Sequence, residues 1–201
     1  MVKTKIAVLA SGSGTNLQSI IDNMELGELP VEIMCVISDN EKSFALERSK
    51  KHNIPAYFID KKDKKRAEHE KEVVAILKEH GVELVVLAGY MRIITSYFIN
   101  EFKNKIINIH PALLPSFAGS DGYGDAWKYG VKVSGCTVHF VDEGCDTGPI
   151  ILQAVNPIKA DDTFESFKER GLKIEHKAFP EAIKLYCEGR LKIEGRKVVI
   201  K

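Results

Sequence analysis

The apolar residues in the first half of the chain come in short unbroken runs, separated by stretches of helical spacing. Lys5-Ile-Ala-Val-Leu-Ala10 is one such run, Val31 to Ser38 a second, Pro55 to Ile59 a short third and Glu83-Leu-Val-Val-Leu-Ala88 a fourth. Runs with no alternating polar residue suit strands buried on both faces, as in parallel sheets. Between them, Asn16 to Met24, Phe44 to His52 and Lys61 to His80 carry apolar residues three and four apart, which predicts helices.

Past Lys105 the pattern changes. Ile106-Ile107 runs into Asn108-Ile-His-Pro-Ala-Leu-Leu-Pro115, a strand emptying into a loop punctuated by prolines. Val133 to Val141 and Ile150 to Pro157 are strands joined by a loop too short for a helical crossover, so antiparallel pairing is predicted. Asp162 to Cys187 predicts one long helix, with Asp161 and Asp162 near its start and Gly189 just past its end. The tail from Leu191 turns at Glu194-Gly195 between alternating residues and predicts a terminal hairpin. The fold class is α/β: a Rossmann-like, mostly parallel twisted sheet with helices on both faces and an antiparallel C-terminal part.

Length and composition narrow this further. The 201 residues are expected to form one domain, 1–201, with an N-terminal half to about residue 100, a second half over about 101–190 and the hairpin over about 190–201. A chain of this size buries roughly 70% of its unfolded surface and needs no staple. A net charge of +1 gives no electrostatic case for nucleic acid or an anionic membrane. The longest apolar run falls short of a membrane span, and the N-terminus lacks a secretory pattern. Cys35, Cys136, Cys145 and Cys187 fit no zinc or redox spacing, so reduced thiols, no metal site and a cytoplasmic location are expected. The charges from Asp60 to Glu72 are interleaved in sign, as on a solvated helix face.

Two loci carry chemistry. The first is Ser11-Gly-Ser-Gly-Thr-Asn16, between the first strand and the first helix. Amides at a helix N-terminus lack internal partners and attract anions, and Gly12 and Gly14 allow a tight turn. Leu17 stands where a dinucleotide fingerprint needs a small residue, and the lysine of a P-loop is missing, so a monophosphate is the expected guest. The same turn could simply cap a helix. The second locus joins Asn108 and His110, two apart on a strand and hence on one face, to Asp146, which sits between Gly144 and Gly148. Taken singly, each could be structural. Together an amide, an imidazole and a carboxylate suit a reaction that builds negative charge on oxygen while a nitrogen loses a proton.

Four segments carry a resemblance: Ser-Gly-Ser-Gly-Thr-Asn-Leu, Leu-Ala-Gly-Tyr-Met-Arg-Ile, Asn-Ile-His-Pro-Ala-Leu-Leu-Pro, and Gly-Cys-Thr-Val-His-Phe-Val-Asp-Glu-Gly-Cys-Asp-Thr-Gly-Pro-Ile-Ile. From about Lys5 to Arg190 the chain resembles the folate-dependent formyltransferases, and among them the phosphoribosylglycinamide formyltransferases. The resemblance implies formyl transfer from 10-formyltetrahydrofolate, as co-substrate, to the amine of glycinamide ribonucleotide in purine biosynthesis. It implies catalytic roles for Asn108, His110 and Asp146. His110 would donate to the oxyanion with the Asn108 amide, and Asp146 would orient the protonated imidazole and help move the proton. It implies that Gly14, Thr15, Asn16 and Glu175 hold the phosphate-bearing substrate. Arg66, Met91, Arg92, Ile93 and Ile94 would contact the folate, with Asp142, Glu143, Gly144 and Cys145 closing the slot. Partners would be these small molecules, without nucleic acid or membrane, in a monomer or homodimer.

Gly119-Ser-Asp-Gly-Tyr-Gly-Asp125 departs from the histidine-containing segment of many relatives and reads as a candidate mobile loop. Two rival enzymes share the trio. Formyltetrahydrofolate deformylases usually add an N-terminal regulatory domain and methionyl-tRNA formyltransferases a C-terminal nucleic-acid-binding one, so the single-domain length favours neither. A non-catalytic nucleotide- or folate-binding module has no use for three convergent polar groups.

Overall fold

The structure is a computed structural model, and it describes residues 3–201. It divides into two compact units, Met1–Ile107 and Asn108–Lys201.

In the first unit, strands β1 (Thr4–Leu9), β2 (Val31–Ser38), β3 (Ala56–Phe58) and β4 (Leu84–Leu87) lie in the order β3-β2-β1-β4. All pair in parallel. Helices α1 (Thr15–Glu25), α2 (Phe44–Lys51) and α3 (Arg66–Glu79) make the crossovers, and α4 (Ser96–Glu101) follows β4. The unbroken apolar runs have the expected cause: Ile6 to Leu9 and Leu84 to Val86 are fully buried. Leu17, Ile20 and Ile21 of α1 and Val73, Val74 and Leu77 of α3 supply the apolar layer that covers strands with two dry faces. Helix α3 starts at Arg66, not Lys61, because Glu68 reaches back to the Lys65 amide (3.0 Å) and fixes the first turn there.

The chain passes into the second unit within β5 (Ile106–His110). Helix α5 (Gly122–Tyr129) and strand β6 (Val133–Phe140) follow, then β7 (Ile150–Pro157), helix α6 (Phe164–Cys187) and the hairpin β8 (Leu191–Glu194) and β9 (Lys197–Ile200). β6 pairs antiparallel with β7, and β8 with β9, as the pattern predicts, while β9 runs parallel to β7. Phe167, Phe179, Ala182 and Ile183 form the buried face of α6, and the Trp127 ring of α5 stacks on Phe167 with centroids 5.9 Å apart. Residues 119–125 are not one loop. Asp121 caps α5 by accepting from the Gly124 amide (3.1 Å), and the segment is helical from Gly122 onward.

The candidate active site

The turn after β1 is fixed by its carbonyls. Ser11 O accepts from Asn40 Nδ2 (3.1 Å), Gly12 O from Ser43 Oγ (2.9 Å) and Ser13 O from Arg48 Nε (2.9 Å). Gly14 O accepts the first helical bond, from Gln18 N (2.9 Å). Four successive carbonyls of the turn are thus committed to protein donors. Gly14 has φ +67°, and a Cβ there would lie 2.9 Å from Ala45 Cα, so glycine is required both by conformation and by space. Gly14 is the N-cap of α1 and makes no side-chain hydrogen bond there, at the helix end where the partial positive charge of the backbone favours an anion. Thr15 and Asn16 open the helix, with Asn16 buried.

Also in the first unit, Met91 and Ile93 are exposed (62% and 57%) while Ile94 is buried. Two exposed large apolar side chains flanking the half-buried Arg92 suit a surface that meets a flat ligand better than a core. The segment is held at both ends. The Met91 amide donates to Ser11 Oγ (2.9 Å), and the Thr95 amide donates to the buried Glu70 (2.8 Å), which the Thr95 hydroxyl also reaches. Arg66 is exposed at the first position of α3.

The amide, imidazole and carboxylate meet in the second unit. Asn108 Nδ2 lies 3.4 Å from Asp146 Oδ1, and His110 Nδ1 lies 3.3 Å from Asp146 Oδ2. His110 is buried, and its Nε2 donates to the Phe117 carbonyl (2.7 Å). The Gly119 amide donates to Asp146 Oδ2 (2.9 Å). Phe117 has φ 55° and Asp146 φ 54°, left-handed values uncommon outside glycine, so the surrounding bonds must hold both turns. Helix α5 begins against this group: a Cβ on Gly122 would stand 2.9 Å from the Pro111 carbonyl oxygen and 3.2 Å from His110 Nε2.

A fourth member went unread in the sequence. His139 of β6 places Nε2 3.1 Å from Asn108 Nδ2 and 3.6 Å from Asp146 Oδ1, and its Nδ1 donates to the Phe140 carbonyl (2.8 Å). The only signal for it was an imidazole inside a buried strand, where polar groups need partners. Burial would raise the pKa of Asp146. The facing His139 ring, the Gly119 amide and the charges of His110 and His139 outweigh burial and bring the carboxyl down to about 2. Asp146 is therefore an anion across the neutral range.

The loop leading to Asp146 is a closed turn. Asp142 Oδ1 accepts from the Gly144 amide (3.2 Å) and from Thr147 Oγ1 (2.6 Å). A Cβ on Gly148 would fall 1.7 Å from the Phe140 carbonyl oxygen, so glycine alone fits where the chain turns back. Glu143, Gly144 and Cys145 are exposed on the loop's outer side. Glu175 is buried on α6 and accepts a hydrogen bond from the Tyr123 hydroxyl.

The formyl transferase family profile matches residues 4–183. The chain belongs to the formyl transferase family. Among relatives of this family, the phosphoribosylglycinamide formyltransferase of Haemophilus influenzae is 44% identical over 191 residues, covering 94% of this chain and 90% of that protein. The trifunctional purine biosynthetic protein adenosine-3 of Chironomus tentans is 45% identical over 199 residues, 96% of this chain but 14% of that protein's length. Among solved structures, glycinamide ribonucleotide transformylase 1 from Symbiobacterium toebii superposes with a TM-score of 0.96 at 46% identity, over 98% of this chain and 94% of that one. The formyl transferase fold thus accounts for both the parallel first unit and the antiparallel end of the second.

Proposed function

We propose that this formyltransferase moves a formyl group from 10-formyltetrahydrofolate to the primary amine of glycinamide ribonucleotide, a step of purine biosynthesis. The observation that carries the reading is the convergence of Asn108, His110 and Asp146 at 3.3 and 3.4 Å separations. The 44% identity to a phosphoribosylglycinamide formyltransferase over most of both chains supports the substrate pair.

The amine lone pair attacks the formyl carbon, and the carbonyl π pair moves onto oxygen. The protonated imidazole of His110 donates to that oxyanion, and the Asn108 amide adds a second donor. For His110 to do this, Nε2 exchanges the Phe117 carbonyl for the substrate oxygen, a substitution of one acceptor for another. Asp146 holds Nδ1, stabilises the imidazolium and accepts the proton released by the new ammonium. As the tetrahedral centre collapses, the bond from carbon to the folate nitrogen breaks, and that nitrogen takes up the proton that Asp146 received from the ammonium. No covalent formyl-enzyme is needed, because holding amine and formyl donor together supplies the proximity term. In the same reading Gly14, Thr15 and Asn16 hold the substrate phosphate and Glu175 contacts the substrate. Arg66, Met91, Arg92, Ile93 and Ile94 are folate contacts in this reading, as are Asp142, Glu143, Gly144 and Cys145.

The test mixes protein, 10-formyltetrahydrofolate and glycinamide ribonucleotide and follows folate absorbance. Loss of the formyl group only when the amine is present is the expected result. Loss without the amine would make the protein a hydrolase, and binding without turnover a module. In the same assay His110→Ala should lose turnover while keeping its fold and its affinity for folate; near-normal turnover would reject the role given to His110.

A further inference from the structure

Every polar atom of Ser11 is bonded, and the bonds lead from the end of β1 to two other strand ends of the first unit. Its amide donates to the Gly89 carbonyl (3.0 Å), just past β4. Its carbonyl accepts from Asn40, and its hydroxyl donates to Asp39 Oδ1 (2.5 Å), both just past β2. The same hydroxyl accepts from the Met91 amide (2.9 Å). Asp39 has no exposed side-chain surface and is completed by Lys61 Nζ at 2.9 Å.

We infer that Ser11 is a positioning residue that couples the phosphate turn to the Met91–Ile94 segment, so that an anion on the turn tightens folate binding on the segment. The inference rests on the assignments of those two segments in the proposed function. Ser11 is the first residue of the turn that runs to Asn16, and Met91 is the first of the folate segment. Its hydroxyl must act as donor to one partner and acceptor from the other, which only serine or threonine can do with this reach. An anion bound at the turn holds Ser11 in this bonded arrangement, and Ser11 in turn holds the amide from which the folate segment starts. The second ligand then meets a segment already ordered, and linkage makes the effect reciprocal. A carboxylate as deeply buried as Asp39, with Lys61 as its counter-ion, resists reorganisation, so displacement at one end is passed on instead of absorbed locally.

The experiment titrates the wild-type protein with tetrahydrofolate by calorimetry, with and without saturating inorganic phosphate at matched ionic strength. Phosphate is too small to touch a bound folate, so any linkage runs through the protein. Phosphate should tighten tetrahydrofolate binding by about tenfold, within the usual range for coupled sites. In Ser11→Ala the ratio should fall to about one while each ligand still binds alone, and Ser11→Thr should restore it. If Ser11→Ala does not fold, Ser11→Cys, close in shape but a weak donor and acceptor, takes its place with the same expectation. A wild-type ratio retained in Ser11→Ala or Ser11→Cys overturns the coupling. So does a wild-type protein that transfers formyl groups yet shows no phosphate effect. In either case the proposed reaction stands, because the absorbance assay tests it separately.

Discussion

The side-chain amide of Asn108 points its nitrogen at Nε2 of His139, 3.1 Å away. The other ring nitrogen of His139 is committed as a donor to the Phe140 carbonyl, so in the neutral ring Nε2 accepts from the Asn108 amide and sets which way it faces, while in the charged ring the same Nε2 donates to Asp146. In the proposed reaction His139 acts through Asn108. Replacing Asn108 by alanine removes the proposed oxyanion donor and should lower kcat by about 100- to 1,000-fold, or about 2.7–4 kcal/mol. His139→Ala frees the amide to rotate but does not delete it, so the expected loss is smaller, about tenfold. The double variant should be hardly worse than Asn108→Ala alone, since both changes remove one function. Steady-state kinetics of the three variants checks this; fully additive losses would place His139 on a separate path.

Asp146 links the site to stability against acid. Its carboxyl, ordinarily near 3.8, is brought down to about 2 in the folded chain. A depressed folded value means the stabilisation is complete above the unfolded value and disappears as pH falls through the folded one, here between about pH 4 and pH 2. The difference corresponds to about 2 kcal/mol. Urea unfolding from pH 5 down to pH 2 should show this loss in the wild type and a shallower slope in Asp146→Asn. The same shift leaves Asp146 ionised throughout the working range, so no limb of a neutral pH–rate profile should belong to it.

The legible parts of this fold were those with a strong local pattern. β1 and β4 are unbroken apolar runs because both faces are dry, and the loop between β6 and β7 is too short for anything but an antiparallel turn. Helix α4 escaped because six residues are too few to show a period. Helix α5 escaped because Gly-Tyr-Gly-Asp reads as loop by propensity, whereas its start is fixed by the Asp121 cap and its packing by Trp127 on Phe167. Within the site, Asn108 and His110 could be paired from strand period alone. His139 and Ser11 could not, because their significance lies in partners 31 and 80 residues away in sequence. Glu175 was placed only by resemblance, and its bond to Tyr123 spans 52 residues.

The phosphate turn makes a prediction about conformation. At Gly14 an alanine would have to hold φ near +67° with its Cβ 2.9 Å from Ala45 Cα. The left-handed backbone alone costs about 1–2 kcal/mol, and the contact with backbone atoms of α2 adds to it. Gly14→Ala should lower the melting temperature and raise KM for glycinamide ribonucleotide far more than KM for the folate. At Gly12, where a Cβ meets nothing within 4 Å, alanine should change neither the fold nor stability by much. Differential scanning fluorimetry and the two KM values separate the cases.

Cys145 offers a chemical probe of the charge on Asp146. It is the exposed cysteine of the four, and Cys35 and Cys136 are buried, with burial pushing both thiols up to about 12. The thiol of Cys145 is also raised, first by partial burial, then by the negative charge of Asp146 and by its hydrogen bond to that carboxylate at 3.6 Å. Since the thiolate is the reactive form, alkylation at pH 7.5 should be slower than for a free cysteine in a peptide. Asp146→Asn removes the charge and should speed alkylation several-fold, whereas Asn108→Ala, which leaves the carboxylate in place, should not. Rates of iodoacetamide labelling, located by peptide mass spectrometry, measure this without substrate or turnover. An unchanged rate in Asp146→Asn would mean that the carboxylate does not face the thiol in solution. The loop from Asp142 to Asp146 would then hold a different shape, and the bonds drawn from Asp146 to His110 and Asn108 would lose their geometric basis.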